Sequence, residues 1–144
     1  MASAALGGAL SHLRHALATI DKDKGFSLAE EELLALGLPA VDSALGGGLA
    51  CGALHELAPA APAQFGAAAG FALALAALRM AGGRSALLIQ TDYAALEAGA
   101  PYGPGLDGFG LPMERFIVLR VPRPVDALWA CEEALKSRGV AIVI

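Results

Sequence analysis

Basic charge is scarce in this chain. Lysine and arginine number 10 against 14 aspartates and glutamates, a formal net charge of −4. Binding nucleic acid by bulk charge needs a strongly basic face, so DNA contact is expected to be weak or indirect. Lysine is absent altogether between Lys24 and Lys136. Cysteine is limited to Cys51 and Cys131, which match neither a metal spacing nor a disulfide framework. Two inert thiols in a reducing cytoplasm are therefore expected. The N-terminus lacks a basic segment followed by a compact apolar stretch, because His12, Arg14 and His15 interrupt it. No secretory signal is read there.

Apolar residues, by contrast, make up 56% of the 144. That content excludes a disordered chain, and the length suits one domain with a real core. The longest uncharged stretch, Leu57 to Leu78, contains Pro59, Pro62 and Gln64. Its strongly apolar part, residues 67–78, falls short of the ~20 residues a spanning helix needs. The reading is a buried core helix and no membrane partner.

Leu6, Leu10, Leu13, Leu17 and Ile20 recur at helical spacing, and a charged break follows at residues 21–25. Residues 1–26 therefore read as an N-terminal helix with a charged linker, and residues 27–144 as a core domain. Ser27 and Glu30 form a capping-box pattern for a short helix that ends near Gly37 and Pro39. Four apolar runs then read as strands, at residues 53–57, 85–90, 115–121 and 139–144. Three are nearly continuous in apolar character, as strands covered on both faces are. Helices are expected at about 67–81 and 124–138. In the second, Val125, Leu128, Trp129 and Leu135 should face the sheet, with the Glu132–Lys136 pair on the other side. The alternation of strand and helix is the α/β signature, a mainly parallel sheet flanked by helices. The last strand runs to Ile144 with no turn after it, so a fragment of a longer protein, a partial core, is expected.

The most particular segment is GLPAVDSALGGGLACGALHEL, residues 37–57. Gly46, Gly47 and Gly48 suit a sharp bend with φ > 0. Taken alone, the segment equally fits any glycine-rich loop before a strand. A phosphate loop would follow such a strand, reading G-x-x-x-x-G-K-[ST]. This chain instead has Pro59, Pro62, Gln64, Phe65 and Gly66 there, with no lysine. The prolines also remove N–H donors. Asp92 follows the 85–90 strand, where it reads as a turn cap or, more weakly, as a candidate acid. Arg115, Arg120 and Arg123 are close enough in sequence for a local basic patch. His12 and His15 lie one helical turn apart without further ligands, and no Ser or Cys has a base beside it. No metal, cofactor or catalytic residue is expected.

The glycine turn, the lysine-free APAQFGAAAGFALALAAL at 61–78 and DALWACEEALKSRGVAIVI at 126–144 together resemble the ImuA family. These are RecA-like proteins of the bacterial SOS mutagenesis cassette. The resemblance covers about residues 28–144 and implies a RecA-like core. It implies a non-catalytic accessory role in DNA repair by translesion synthesis. The implied partners are a polymerase-like adaptor and an error-prone DNA polymerase, with RecA or a second copy as further partners. The alternative is a divergent RecA-like NTPase binding ATP and DNA.

Overall fold

The computed structural model describes residues 32–144. The expected N-terminal helix, the charged linker, His12, His15, Ser27 and Glu30 lie outside them. One compact unit, Leu34–Ile144, carries the architecture. In chain order its elements are α1 (Pro39–Ala44), α2 (Phe65–Met80), β1 (Ser85–Thr91), α3 (Asp92–Ala98), α4 (Gly103–Gly108), β2 (Phe116–Val121), α5 (Pro124–Lys136) and β3 (Val140–Val143). The three strands form a parallel sheet in the order β2-β1-β3. The fold is therefore α/β, as the strand–helix alternation implies.

β1 is the central strand, which fits its nearly unbroken apolar run. Its pairing with β2 is continuous from Ala86 opposite Phe116 to Thr91 opposite Val121. Its pairing with β3 slips between Ser85 and Ala86. α2 lies on one face of the sheet. Leu73, Ala76, Ala77 and Met80 form an i, i+3, i+4, i+7 stripe against Ala86, Leu88, Phe116 and Ile142. Leu106 of α4 and Leu111 close the same cluster. Arg115 Nη1 donates to the Met80 carbonyl, 3.1 Å away, as a second donor beside Gly83 N–H at 3.0 Å, and so ties the end of α2 to the start of β2. α5 packs on β1 and β3 through the opposite face.

Several expectations are corrected. The run at residues 53–57 is not a strand and pairs with nothing in the sheet. Leu54 is 99% exposed. Apolar content nominates a strand, but only a partner makes one. Leu34 lies in a small ribbon with Leu49–Ala50, so the short helix expected to run to residue 36 does not reach that far. Pro39, read as a helix stop, instead opens α1, where its fixed φ and missing N–H cost nothing. α2 is not packed all round, since Phe65, Phe71 and Leu78 are exposed. With the turn before it, Pro62–Met80 is also long and apolar enough, by length and composition, to cross a membrane. In the fold, its Ala76 and Met80 are wholly buried against the sheet.

α5 is turned the opposite way from its hydropathy reading. Ala127, Ala130, Cys131 and Ala134 face inward. Val125, Leu128, Trp129 and Leu135 are exposed, Trp129 at 66%. Glu132 and Lys136 pair at 3.0 Å, but on this same outward side. The small inner residues let the helix lie close to the sheet, and the bulky ones are left outside.

Candidate functional site

In a parallel sheet, ligand chemistry gathers where strands end in loops. Here that end carries Gln90, Thr91 and Asp92 from β1 and α3, and Arg120 and Arg123 from β2 and its exit. α2 ends beside the start of β2, through the Arg115 contact, and so begins toward this end of the sheet. The loop at 58–66 leads into the start of α2.

The bend at the triple glycine is sharp. Gly46, Gly47 and Gly48 have φ of 72°, 123° and 145°. Asp42 organises the approach to it. Its carboxylate accepts from the backbone N–H groups of Leu36 at 2.8 Å and Leu38 at 3.1 Å. Its carbonyl accepts from Gly47 N–H at 2.7 Å. Sequence reading noted the glycines and missed this aspartate. Its side-chain donors precede it by six and four residues, a spacing without a local sequence signature. Beyond the bend, His55 Nε2 donates to the Ala50 carbonyl at 2.8 Å, a structural bond in an exposed loop.

The loop before α2 does not form a phosphate cradle. Pro62–Gln64 is one turn of 3-10 helix. Gln64 N–H donates to the Ala61 carbonyl at 2.9 Å, and Phe65 N–H turns back to the Pro62 carbonyl. Pro59 and Pro62 have no N–H to give. Between residues 59 and 65, Pro59 and Pro62 thus lack the donors a phosphate would use, and those of Gln64 and Phe65 are spent on the chain itself. Gly66 lies in the helix with open space where a side chain would be. Gln64 and Phe65 are exposed, and Gln64 makes no side-chain cap.

Asp92 is not the cap of the turn after β1. Thr91 is, its Oγ1 accepting from Ala94 N–H at 3.1 Å. Asp92 opens α3 and pairs with Arg120 across the strand ends, at 3.2 Å. Beside them, Gln90 Nε2 donates to the Gly99 carbonyl over 3.4 Å, and its buried Oε1 has no partner. The basic patch expected of Arg115, Arg120 and Arg123 is dispersed. Arg115 is held by the Met80 carbonyl, Arg120 by Asp92 and Arg123 by Asp126. Arg120 and Arg123 are each balanced by a carboxylate and Arg115 is drawn to the end of α2, so the three do not pool their charge toward a phosphate backbone.

No family model and no curated protein matches this chain. Its site is therefore judged on its own chemistry. Among the described residues, no three His, Cys, Asp or Glu side chains gather closely enough to hold a metal ion. Cys51 and Cys131 are free and half-buried. Arg79 and Arg84 lie at and beyond the far end of α2, away from its start.

The Arg123–Asp126 pair is bidentate, with Nε on Oδ2 at 2.8 Å and Nη2 on Oδ1 at 2.7 Å. The hydrogen bonds from Arg123 hold the Asp126 carboxyl below the usual aspartate range. A depressed carboxylate stabilises the fold above its ordinary pKa, and that contribution disappears as pH falls through the lowered value. An NMR titration should find the Asp126 midpoint below ~3.9. In Arg123→Met it should return toward that value, and a midpoint that stays put would mean the pair does not form in solution. At the other end of α5, hydrogen bonds to Glu133 and then Glu132 raise Lys136 above its ordinary range. That exposed contribution is present below the ordinary lysine pKa and lost at high pH.

Proposed function

We propose that this chain is a non-catalytic RecA-like accessory protein, one that holds partners together in SOS-induced error-prone translesion synthesis. The outward face of α5 carries the reading. A soluble helix normally hides its largest apolar side chains, yet Val125, Leu128, Trp129 and Leu135 are all exposed. Tryptophan is one of the residues that most often dominate a binding hot spot, and a contiguous exposed apolar patch marks an interaction site. The same helix holds DALWACEE, the most particular segment of the resemblance to the ImuA family. The spent amides of the loop at 61–65 and the missing lysine favour a scaffold over a motor. The parallel sheet with helices on both faces supports a RecA-like core, whose fold alone assigns no activity. The partner that this reading places on α5 is the polymerase-like adaptor, with the error-prone polymerase reached through it.

The test has two arms. Calorimetry with ATP and magnesium should give no binding. Trp129→Ala should leave the unfolding midpoint within the ordinary range of a surface change, about 0.5 kcal/mol. It should weaken adaptor capture by about 25-fold or more, as loss of a hot-spot tryptophan does. Damage-induced mutagenesis should fall with it and survive Gln64→Ala and Phe65→Ala. Micromolar ATP binding with turnover lost in Asp92→Ala would instead establish the NTPase alternative. Capture indifferent to Trp129 would remove α5 from the interface.

A further inference from the structure

β2 is an edge strand without the usual protection. Sheet edges are normally kept from pairing by shortness, proline, a bulge, or a free charge pointing outward. β2 runs for six residues, Phe116–Val121, and contains no proline. Its ladder with β1 has no irregularity. Its one charge, Arg120, is tied to Asp92. Ile117 and Val118, on opposite faces, are 50% and 42% exposed. The other edge, β3, is shorter and has the slipped register. Among the described residues, nothing pairs with the outer side of β2.

We infer that β2 is a self-association edge, on which a second copy of this chain adds its own β2 in the antiparallel sense. The result is one continuous six-stranded sheet. The register follows from parity. A two-fold axis normal to the sheet joins like faces, so residues of equal parity must meet. Phe116, Val118 and Arg120 lie on the α2 face, because Phe116 stands opposite Ala86 and Val118 opposite Leu88. Ile117 and Leu119 lie on the α5 face. With the axis at Val118, Val118 meets its own copy and Ile117 meets Leu119. Both exposed apolar side chains of the edge are thereby covered by apolar neighbours. Arg120 stands opposite Phe116, whose ring is buried in the core, and keeps its pair with Asp92. The two Arg120 positions are then four residues apart along the strand, roughly 14 Å. That exceeds the screening length at physiological salt, so the cations do not oppose the pairing. An axis at Leu119 would instead set Val118 against Arg120. The inference stands on the strand alone and does not depend on the adaptor role.

The whole chain is examined by sedimentation equilibrium over a wide concentration range, with hydrogen exchange of the residue 116–121 amides measured at the two extremes. Dimer formation, with amide protection in β2 rising alongside it, is expected. Val118→Lys and Val118→Glu should each weaken dimerisation at least tenfold, since like charges then face each other. An equimolar mixture of the two should recover it, because lysine then faces glutamate. A variant that fails to fold leaves the wild-type exchange result decisive. A chain that stays monomeric overturns the inference, and so does a dimer whose β2 exchange does not change with concentration. A monomer with fully protected β2 amides would show that the chain's own residues cover the edge, and would overturn it too.

Discussion

Met80→Ala should lower the stability of the Leu34–Ile144 unit by about 2–5 kcal/mol, the range for truncating a fully buried methionine. Met80 is 0% exposed, at the end of α2, between Ala76 and the sheet residues Ala86 and Phe116. Its neighbours cannot close in easily, because the alanines beside it have no side chain to extend into the gap. The backbone tie from Arg115 to the Met80 carbonyl survives the substitution, so the loss reads packing alone. Urea unfolding should show a lower midpoint with an unchanged slope. Met80→Leu, nearly equal in volume, should cost under ~1.5 kcal/mol. A midpoint for Met80→Ala no different from that of a surface change would mean α2 does not rest on the sheet.

Gly48→Ala should open the small ribbon while the three-stranded sheet persists. At φ of 145°, Gly48 sits where side chains are strained. An added Cβ would also come within 2.6 Å of the Leu34 carbonyl carbon and 2.9 Å of the Ala35 nitrogen. These are backbone atoms and cannot swing aside. Strain and overpacking each cost about 1–3 kcal/mol. Amide exchange at Leu34, Leu49 and Ala50 should accelerate at least tenfold, with β1 and β2 unaffected. Gly46→Ala is the control. It shares the positive φ, at 72°, but an added Cβ there meets nothing within 4 Å, so its effect should be smaller. Equal effects at the two positions would assign the glycine requirement to the dihedral alone.

The sequence made the core legible wherever long-range order has a local signature. The runs at 85–90, 115–121 and 139–144 become β1, β2 and β3 within two residues; the central β1 is covered on both faces, as such a run implies, whereas Ile117 and Val118 leave both faces of the edge strand β2 partly exposed. The helices at 67–81 and 124–138 likewise become α2 and α5. What failed was whatever depended on a partner. Residues 53–57 have strand composition but no neighbouring strand in this fold. The inward face of α5 was misread because alanine carries little weight in a hydropathy stripe, yet Ala127, Ala130 and Ala134 are what a close-lying sheet accepts. At the candidate site, the missing lysine was visible, whereas the fate of the loop amides was not. Nothing in one sequence shows that Gln64 and Phe65 N–H groups turn back on Ala61 and Pro62. The arginines looked like a cluster in one dimension, and their partners, Met80, Asp92 and Asp126, disperse them in three.

The shallow seat of α5 links two kinds of tolerance. Val125, Leu128 and Trp129 can vary with little penalty to folding, so the outer surface is free to drift with whatever it meets. Ala130 cannot grow without lifting the whole helix, because it is already buried against the sheet. A lift of even one methyl layer would carry the outer side chains with it as a rigid body. The height and tilt of the exposed face are therefore fixed by the smallest residues on the helix, which face the sheet. On the interface role proposed for α5, variation that retunes recognition should accumulate on the outside, and variation that abolishes it without changing one outer atom should map to Ala127, Ala130 and Ala134.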